Sequence, residues 1–381
     1  MSVDKIRDAG QGRLTFRRDS AFHKELRRRV DDYFRSSDRS PRDCPAMYLK
    51  TTIILGAFIG FYSLLVFVAG SWWQALPLAV LLSLAMAAIG FNIEHDGSHH
   101  SYSNHPWINR LAAMTMDLIG ASSYVWHWKH VVVHHTYVNI TGHDADIDSS
   151  FFGRLTPHQK RFRVHRWQHF YLWPLYGLNV VKWNLYDDFR DVVLGRIGST
   201  RMPRPRRWEL VGFVGGKTLF LTMAFGLPLL VHSLWMVLLF YVLVAGLAGV
   251  IVSVVFQLAH CVEEAEFPLP QENGGLIENA WAVHQVETTV DFARRSRVES
   301  WLLGGLNFQI EHHLFPRVCH VHYPSISSLV EQTCRDFGVR YGEHASFRAG
   351  LLSHFRWLRR MGAPTAGVPP LVVAPEHGPA E

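Results

Sequence analysis

The segment LWMVLLFYVLVAGLAGVIVSVVFQLA, residues 234–259, contains no charged side chain and runs directly into His260. A membrane-spanning helix needs about 20 apolar residues at a rise of 1.5 Å each. Leu234 to His260 would be about 40 Å long, so its last turns leave the hydrocarbon and carry His260 out of it. Three more stretches read the same way, from about Thr51 to Gly70, Gln74 to Asn92 and Leu210 to Val231. The only charge in any of them is Lys217, near one end of the third, where its stem can snorkel. Ser71-Trp72-Trp73 joins the first two stretches and His232-Ser233 joins the last two. Links this short make two membrane hairpins, each returning to its own side. Four buried core helices of a water-soluble protein are the alternative, but core helices seldom run this long without an interior polar residue.

Lysine and arginine set the orientation. Arg27, Arg28, Arg29, Arg35, Arg39, Arg42 and Lys50 precede the first span. The middle stretch carries Lys160, Arg161, Arg163, Arg166, Arg204, Arg206 and Arg207, whereas the short links carry none. The positive-inside rule therefore places both termini and the middle stretch in the cytoplasm, with Trp72, Trp73 and Trp235 in the opposite interface. The net charge of +6 reads as topology and contact with anionic lipid rather than nucleic-acid binding. With 48% hydrophobic and 18% charged residues, the 381-residue chain is not disordered. Its mean hydropathy of only +0.04 implies a large polar part beside the spans. Four cysteines do not make a disulfide scaffold. Cys44, Cys319 and Cys334 fall on the cytoplasmic side, Cys261 ends the fourth span, and no Cys-x-x-Cys pair is present. The polar, basic start shows no signal peptide. The expected organisation is a basic segment 1–50, a membrane domain 51–345 with cytoplasmic segments 93–209 and 260–345, and a tail 346–381 that is disordered after about residue 362.

The count of 23 histidines is unusually high, and they are clustered. His95-Asp-Gly-Ser-His99-His100 follows the second span, and a continuing helix stacks His95 over His99. His130-Val-Val-Val-His134-His135 repeats the spacing, and Gln309-Ile-Glu-His312-His313 follows the fourth span. One such pair is more often a solvated helix face than a ligand pair, but three on one membrane side are hard to obtain by chance. His95, His99, His130, His134, His135, His260, His312 and His313 are eight ligand candidates; Gln309, His284 and His100 are further ones. Catalytic zinc takes three protein ligands and structural zinc four, so eight imidazoles suit two metal ions. Imidazole suits iron, copper and zinc alike.

These motifs resemble the integral-membrane fatty acyl desaturases, in their front-end and bacterial linoleoyl-CoA-desaturase-like branch. The resemblance rests on His95-Asp-Gly-Ser-His99, on Trp128-Lys129-His130 through His134-His135-Thr136-Tyr137 to Asn139 and Gly142-His143-Asp144, and on Gln257-Leu-Ala-His260. It continues in Trp281-Ala-Val-His284-Gln285, Gln309-Ile-Glu-His312-His313-Leu-Phe-Pro316 and Cys319-His320-Val-His322-Tyr323-Pro324. It covers roughly residues 20–345 and implies an all-α membrane enzyme with four transmembrane helices in two hairpins and a cytoplasmic helical cap. That cap would hold two iron ions (Fe2+/Fe3+) and use O2 to place a cis double bond in a long acyl chain, carried as acyl-CoA or acyl-lipid. The setting it implies is a bacterial inner membrane, with the site cytoplasmic. The chain carries no His-Pro-Gly-Gly haem motif, so electrons would come from a separate ferredoxin- or cytochrome b5-type donor with its reductase. Gln309 stands where other branches have histidine.

The chemistry fits that expectation. No side chain can deprotonate an alkane, so desaturation needs the oxidising power of a metal with O2. Ligating imidazoles need their other N–H held, and Asp96, His143, Asp144, Glu263 and Glu311 are candidates for holding them. Trp107 to Trp126 and Trp167 to Tyr186 read as interfacial or re-entrant helices walling an acyl tunnel. Trp126, Lys129, Lys160 and Arg161 are candidates for contact with substrate, the last two toward a phosphate-bearing head group. A hydroxylase or acetylenase on the same scaffold is the nearest alternative. A histidine-rich metal-binding or transport protein is more remote, because transporters place ligands at mid-membrane.

Overall fold

In the computed structural model, residues 14–18, 21–149, 151–271 and 275–364 are described; most of the tail expected to be disordered lies outside them. Four helices are long and apolar enough to cross a membrane: Pro45–Val68, Trp72–Ser98, Trp208–Leu229 and Leu234–His260. The second outruns its apolar stretch, and packing explains why. Its last residues, Glu94, His95 and Asp96, are buried by neighbouring segments, so polar side chains continue the helix without meeting lipid. A wide π-helical turn at Ile89–Glu94 precedes His95. Such turns insert an extra residue per turn and re-aim the side chains that follow.

The two short links lie together at one end of these helices. His232 Nε2 donates to Val66 O at 2.7 Å, and the rings of Trp72 and Trp235 are 6.5 Å apart. The histidine-bearing ends lie at the other end. There the remaining helices are joined by three two-stranded pairings: Thr15–Arg17 parallel to Leu276–Ala280, Asp291–Phe292 parallel to Glu343–His344, and Arg196–Ile197 antiparallel to Thr200–Arg201. The helix Phe347–Gly362 closes this end, its fully buried Trp357 stacked on Phe267 at 4.9 Å. All four cysteines are free thiols.

Three details depart from the sequence reading. Trp167 to Tyr186 does not simply lie at a surface. Its helix Gln168–Lys182 buries Leu172, Tyr176 and Val180 along the fourth apolar helix. The two backbones touch, since a Cβ on Gly249 would sit 2.6 Å from Gly177 O. Trp107 to Trp126 is broken into Pro106–Ala113, Thr115–Leu118 and Ser123–Trp126. Lys217 does not snorkel. It is 5% exposed and turns inward, donating to Asp188 Oδ2 and to Gly120 O, both at 2.7 Å. Burying an ammonium is tolerable only with such partners.

Candidate metal centre

Four segments deliver the eight imidazoles to one place. His95 and His99 sit one turn apart at the end of the second apolar helix, their ring centroids 4.8 Å apart. The wide-turned helix His127–His134 stacks His130 on His134 at 5.3 Å, with His135 next in sequence. His260 is the last residue of the fourth apolar helix. His312 and His313 are neighbours on Gln309–Leu314, so their rings diverge, at 76° to one another. That divergence sorts the rings into two groups. His95, His99, His130 and His312 form one, and His134, His260 and His313 the other; in each, the potential ligand atoms lie within 4.8 Å of one another. His135 groups in the same way with His312 and His313, between the two. All eight are buried.

Their nitrogens are unspent. Nε2 of His99, His134, His312 and His313, and both ring nitrogens of His260, are buried without a hydrogen-bond partner. His130 Nε2 faces His95 Nε2 at 3.2 Å and His135 Nε2 at 3.3 Å. A buried polar atom left unpaired is costly, and a cation among these lone pairs removes that cost, so the residues fit a metal. Burial, reinforced by neighbouring imidazoles, holds His130, His135, His312 and His313 well below the ordinary histidine pKa, in the neutral form a metal requires. For His134, burial also pulls downward, but the Asp144 carboxylate outweighs it and the net shift is upward.

The far side of three rings is held. His134 Nδ1 donates to both Asp144 oxygens, at 3.1 and 3.2 Å, while Asn139 N–H and Asp146 N–H donate to the same carboxylate. His313 Nδ1 donates to Gln285 Oε1 at 2.9 Å, and His312 Nδ1 lies 3.3 Å from Tyr323 Oη. Each contact turns the opposite Nε2 toward the centre. Sequence reasoning passed over Gln285 and Tyr323; both stand inside quoted motifs, but spacing does not tell which side chain reaches a ring. The structure gives the other candidates different partners. Asp96 accepts from His320 Nδ1 at 3.0 Å, and Glu311 accepts from Tyr341 Oη at 3.0 Å. The Glu263 backbone N–H donates to Ser353, and the His143 ring lies 5.5 Å from Tyr137. His284 Nε2 donates to Val138 O at 3.0 Å and joins neither group. His100 is exposed at φ +56°, whereas Gln309 is buried with its Nε2 partnerless.

Space surrounds this centre on two sides. A cavity of about 550 Å³ reaches His134 and His260 and is otherwise rich in polar and charged side chains, Lys129 and Asp146 among them. An apolar pocket beside His95 shares Trp126, Trp183 and Phe256 with that cavity, and shares Met86 and Ile119 with a second apolar pocket between the four helices. Trp126 stacks on His130 at 4.8 Å. Lys129 pairs with Asp146 at 3.1 Å. Lys160 lies over the Phe162 ring, and Arg161 Nε donates to Gly362 O; neither lines these spaces.

Apolar helices ending in a buried imidazole cluster define the class, and comparison with known proteins gives the family. Residues 71–345 match the family model described as fatty acid desaturase, and the chain belongs to that family. It is an oxidoreductase, a fatty acyl desaturase. It is 38% identical over 351 residues to the sn-1 linoleoyl-lipid 6-desaturase of Synechocystis sp., covering 92% of this chain and 98% of that one. The protein of the same name from Arthrospira platensis is 37% identical, with 92% and 95% covered. The acyl-lipid (8-3)-desaturase of Physcomitrium patens is 38% identical, with 90% of this chain and 72% of that one covered.

Proposed function

We propose that this desaturase acts on a linoleoyl-type chain esterified in a membrane lipid, placing a new cis double bond between the existing ones and the carboxyl end. The relatives named for acyl-lipid 6- and (8-3)-desaturation support that substrate. The observation that carries the reading is the convergence of eight buried imidazoles, seven of them with a ring nitrogen that has no hydrogen-bond partner, where a cavity with charged side chains meets apolar pockets. The lipid's polar end occupies the former. The acyl chain threads the latter past His95, gaining about 0.8 kcal/mol per buried methylene. Met116, Ile119, Trp126 and Phe256 line the passage, holding the methylenes against the centre and excluding water from it.

Two iron ions would be held by His95, His99, His130 and His312 on one side and His134, His260 and His313 on the other, with His135 between them and Gln309 at the edge. With O2, iron supplies the one-electron oxidising power that an unactivated methylene demands. Asp144, Gln285 and Tyr323 fix the orientation of the His134, His313 and His312 rings and turn their Nε2 toward the metal side. The four helices form two hairpins in a bacterial inner membrane, with termini and site cytoplasmic. A separate ferredoxin- or cytochrome b5-type carrier delivers electrons, and the helix Phe347–Gly362 packs against the membrane domain beyond its expected limit at residue 345. Expression in a host of defined fatty-acid profile, with double bonds located by mass spectrometry, tests the reaction. A new bond on the carboxyl side of the existing ones supports it, and an added oxygen with no new double bond makes the protein a hydroxylase. Alanine at His134 or His312 should abolish turnover and lower bound iron.

A further inference from the structure

Outside the metal centre, two thiols and an imidazole meet at the head of the first apolar helix. Cys44 immediately precedes Pro45–Val68 with extended backbone, φ −76° and ψ 122°, and so caps that helix. Its sulfur lies 3.1 Å from His322 Nε2. The same nitrogen lies 3.0 Å from Ser40 O. A carbonyl oxygen only accepts, so His322 Nε2 carries a proton and the Cys44 sulfur faces an N–H donor. The Phe34 ring packs edge-on against His322 at 5.2 Å and holds it in place. The second thiol is Cys319. Its backbone N–H donates to Pro41 O at 2.9 Å, which pins its segment to the one carrying Cys44. Cys44 and Cys319 pack in one apolar cluster, and the Cys319 thiol donates to the Cys44 sulfur.

The two sulfurs are unequal. Cys44 is half-buried, whereas Cys319 is fully buried. Donation from the Cys319 thiol, joined by that from His322, outweighs burial and holds the Cys44 thiol far below its ordinary range, at about 5. The free N–H groups at a helix start favour a thiolate too. Cys334, buried in another part of the fold, is pushed by burial up to about 12. A thiolate that solvent can reach, beside a second thiol that can displace its oxidised form, is the arrangement that makes a cysteine reversibly oxidisable. The neighbouring His320 offers no free nitrogen to a cation here. Its Nδ1 donates to Asp96 and its Nε2 accepts from Lys50 Nζ, both at 3.0 Å.

We propose that Cys44 and Cys319 form a peroxide-oxidisable thiol pair, in which Cys44 is the sulfur that attacks and Cys319 the sulfur that resolves. The Cys44 thiolate takes one oxygen of hydrogen peroxide, the O–O bond breaks, and the departing hydroxide gains a proton and leaves as water. Cys44 is then a sulfenic acid. The Cys319 sulfur attacks it, the S–O bond breaks, and the thiol proton leaves with that hydroxide as a second water. Two electrons have passed from the thiols to the peroxide, and a disulfide clasps the segment before the first apolar helix to the one after the third histidine group. A thiol reductant reopens it.

The test uses the full chain purified aerobically in nanodiscs, with no electron donor, and treated with one equivalent of hydrogen peroxide at pH 7. Peptide mapping should find Cys44 linked to Cys319, the link being lost with dithiothreitol, while Cys261 and Cys334 stay reduced. In Cys319→Ala, oxidation should stop at a sulfenic acid on Cys44 that dimedone traps. The alkylation rate of reduced Cys44 with iodoacetamide should change less than about 2-fold between pH 6 and 7.5, where an ordinary thiol gains roughly 30-fold in thiolate. His322→Phe removes the donor and should raise that change to at least about 4-fold, whereas His322→Gln keeps an N–H donor and should leave it shallow. An alkylation profile in the unaltered chain as steep as an ordinary thiol's overturns the proposal. So does peroxide treatment that leaves both thiols free, or that leaves a lasting sulfenic acid on Cys44 with Cys319 present. Should a variant fail to fold, the linked peptide and the pH profile of the unaltered chain decide alone.

Discussion

Asp144→Asn tests whether the imidazole cluster is built for metal. The carboxylate is 2% exposed and accepts from His134 Nδ1, Asn139 N–H and Asp146 N–H, at distances from 2.9 to 3.2 Å. Three donors surround two acceptor oxygens. An asparagine keeps one oxygen and presents an NH2 to the other side, so it confronts a backbone N–H with another donor whichever way it turns. One charge-assisted hydrogen bond is lost and one N–H is left buried, which costs about 2–3 kcal/mol of folding stability. Separately, His134 loses the group that fixes its tautomer, and such losses lower metal affinity about 10–100-fold. That range equals about 1.4–2.8 kcal/mol of binding free energy. The assay is iron content after purification together with an Fe(II) titration followed by Mössbauer spectroscopy, thermal unfolding being measured in parallel. Asp148→Asn serves as the control, since Asp148 also lines the cavity but belongs to none of the possible metal-ligand groups. Fe(II) affinity within about 2-fold of the parent would refute the reasoning, because a merely structural Asp144 would move the unfolding midpoint and not the titration.

Gly249→Ala would put a Cβ 2.6 Å from Gly177 O and 2.9 Å from Tyr176 O. Both contacts are backbone, so the helices must part at a cost of about 1–3 kcal/mol, read as a lower unfolding midpoint in detergent. Lys217→Met leaves Asp188 buried without its ion pair and should cost about 3–5 kcal/mol; adding Asp188→Asn should recover much of it in the same assay. Burial, then the nearby Glu266, lifts the Glu287 carboxyl to about 7 from 4.5. A raised carboxyl favours the folded state at low pH and loses that contribution as pH climbs from about 4.5 through 7. Glu287→Gln keeps an acceptor for Asn279 and should match the parent at pH 5 but unfold later at pH 8, by up to about 3 kcal/mol; equal midpoints at both pH values would contradict the buried-carboxyl reading.

Much of the molecule is legible in the sequence. A helix in lipid must be largely apolar, so each span shows as a long apolar run, broken by a charge only at Lys217, and each histidine group as a short local spacing. Lys217 was misjudged because hydropathy sees only the chemical type at a position. Whether an ammonium snorkels or turns inward depends on Asp188 and the Gly120 carbonyl, which come from other segments. Asp144, ten residues from His134, was nominated from a motif and reaches the ring. Asp96 and Glu311 are sequence neighbours of ligand candidates yet point to His320 and Tyr341. Adjacent side chains on a helix face different directions, which is why proximity in sequence misled there.

From its sequence alone this chain declared four apolar helices, three histidine groups and a family resemblance, because helix length, charge exclusion and i, i+4 spacing are local properties. Tertiary packing alone decided that His312 and His313 part toward two groups, that Gln285 and Tyr323 brace them, and that Lys129, Lys182 and Arg190 pair with carboxylates of the large cavity. Those are relations between residues far apart along the chain, and only the folded backbone sets the distances on which charge and hydrogen bonding depend.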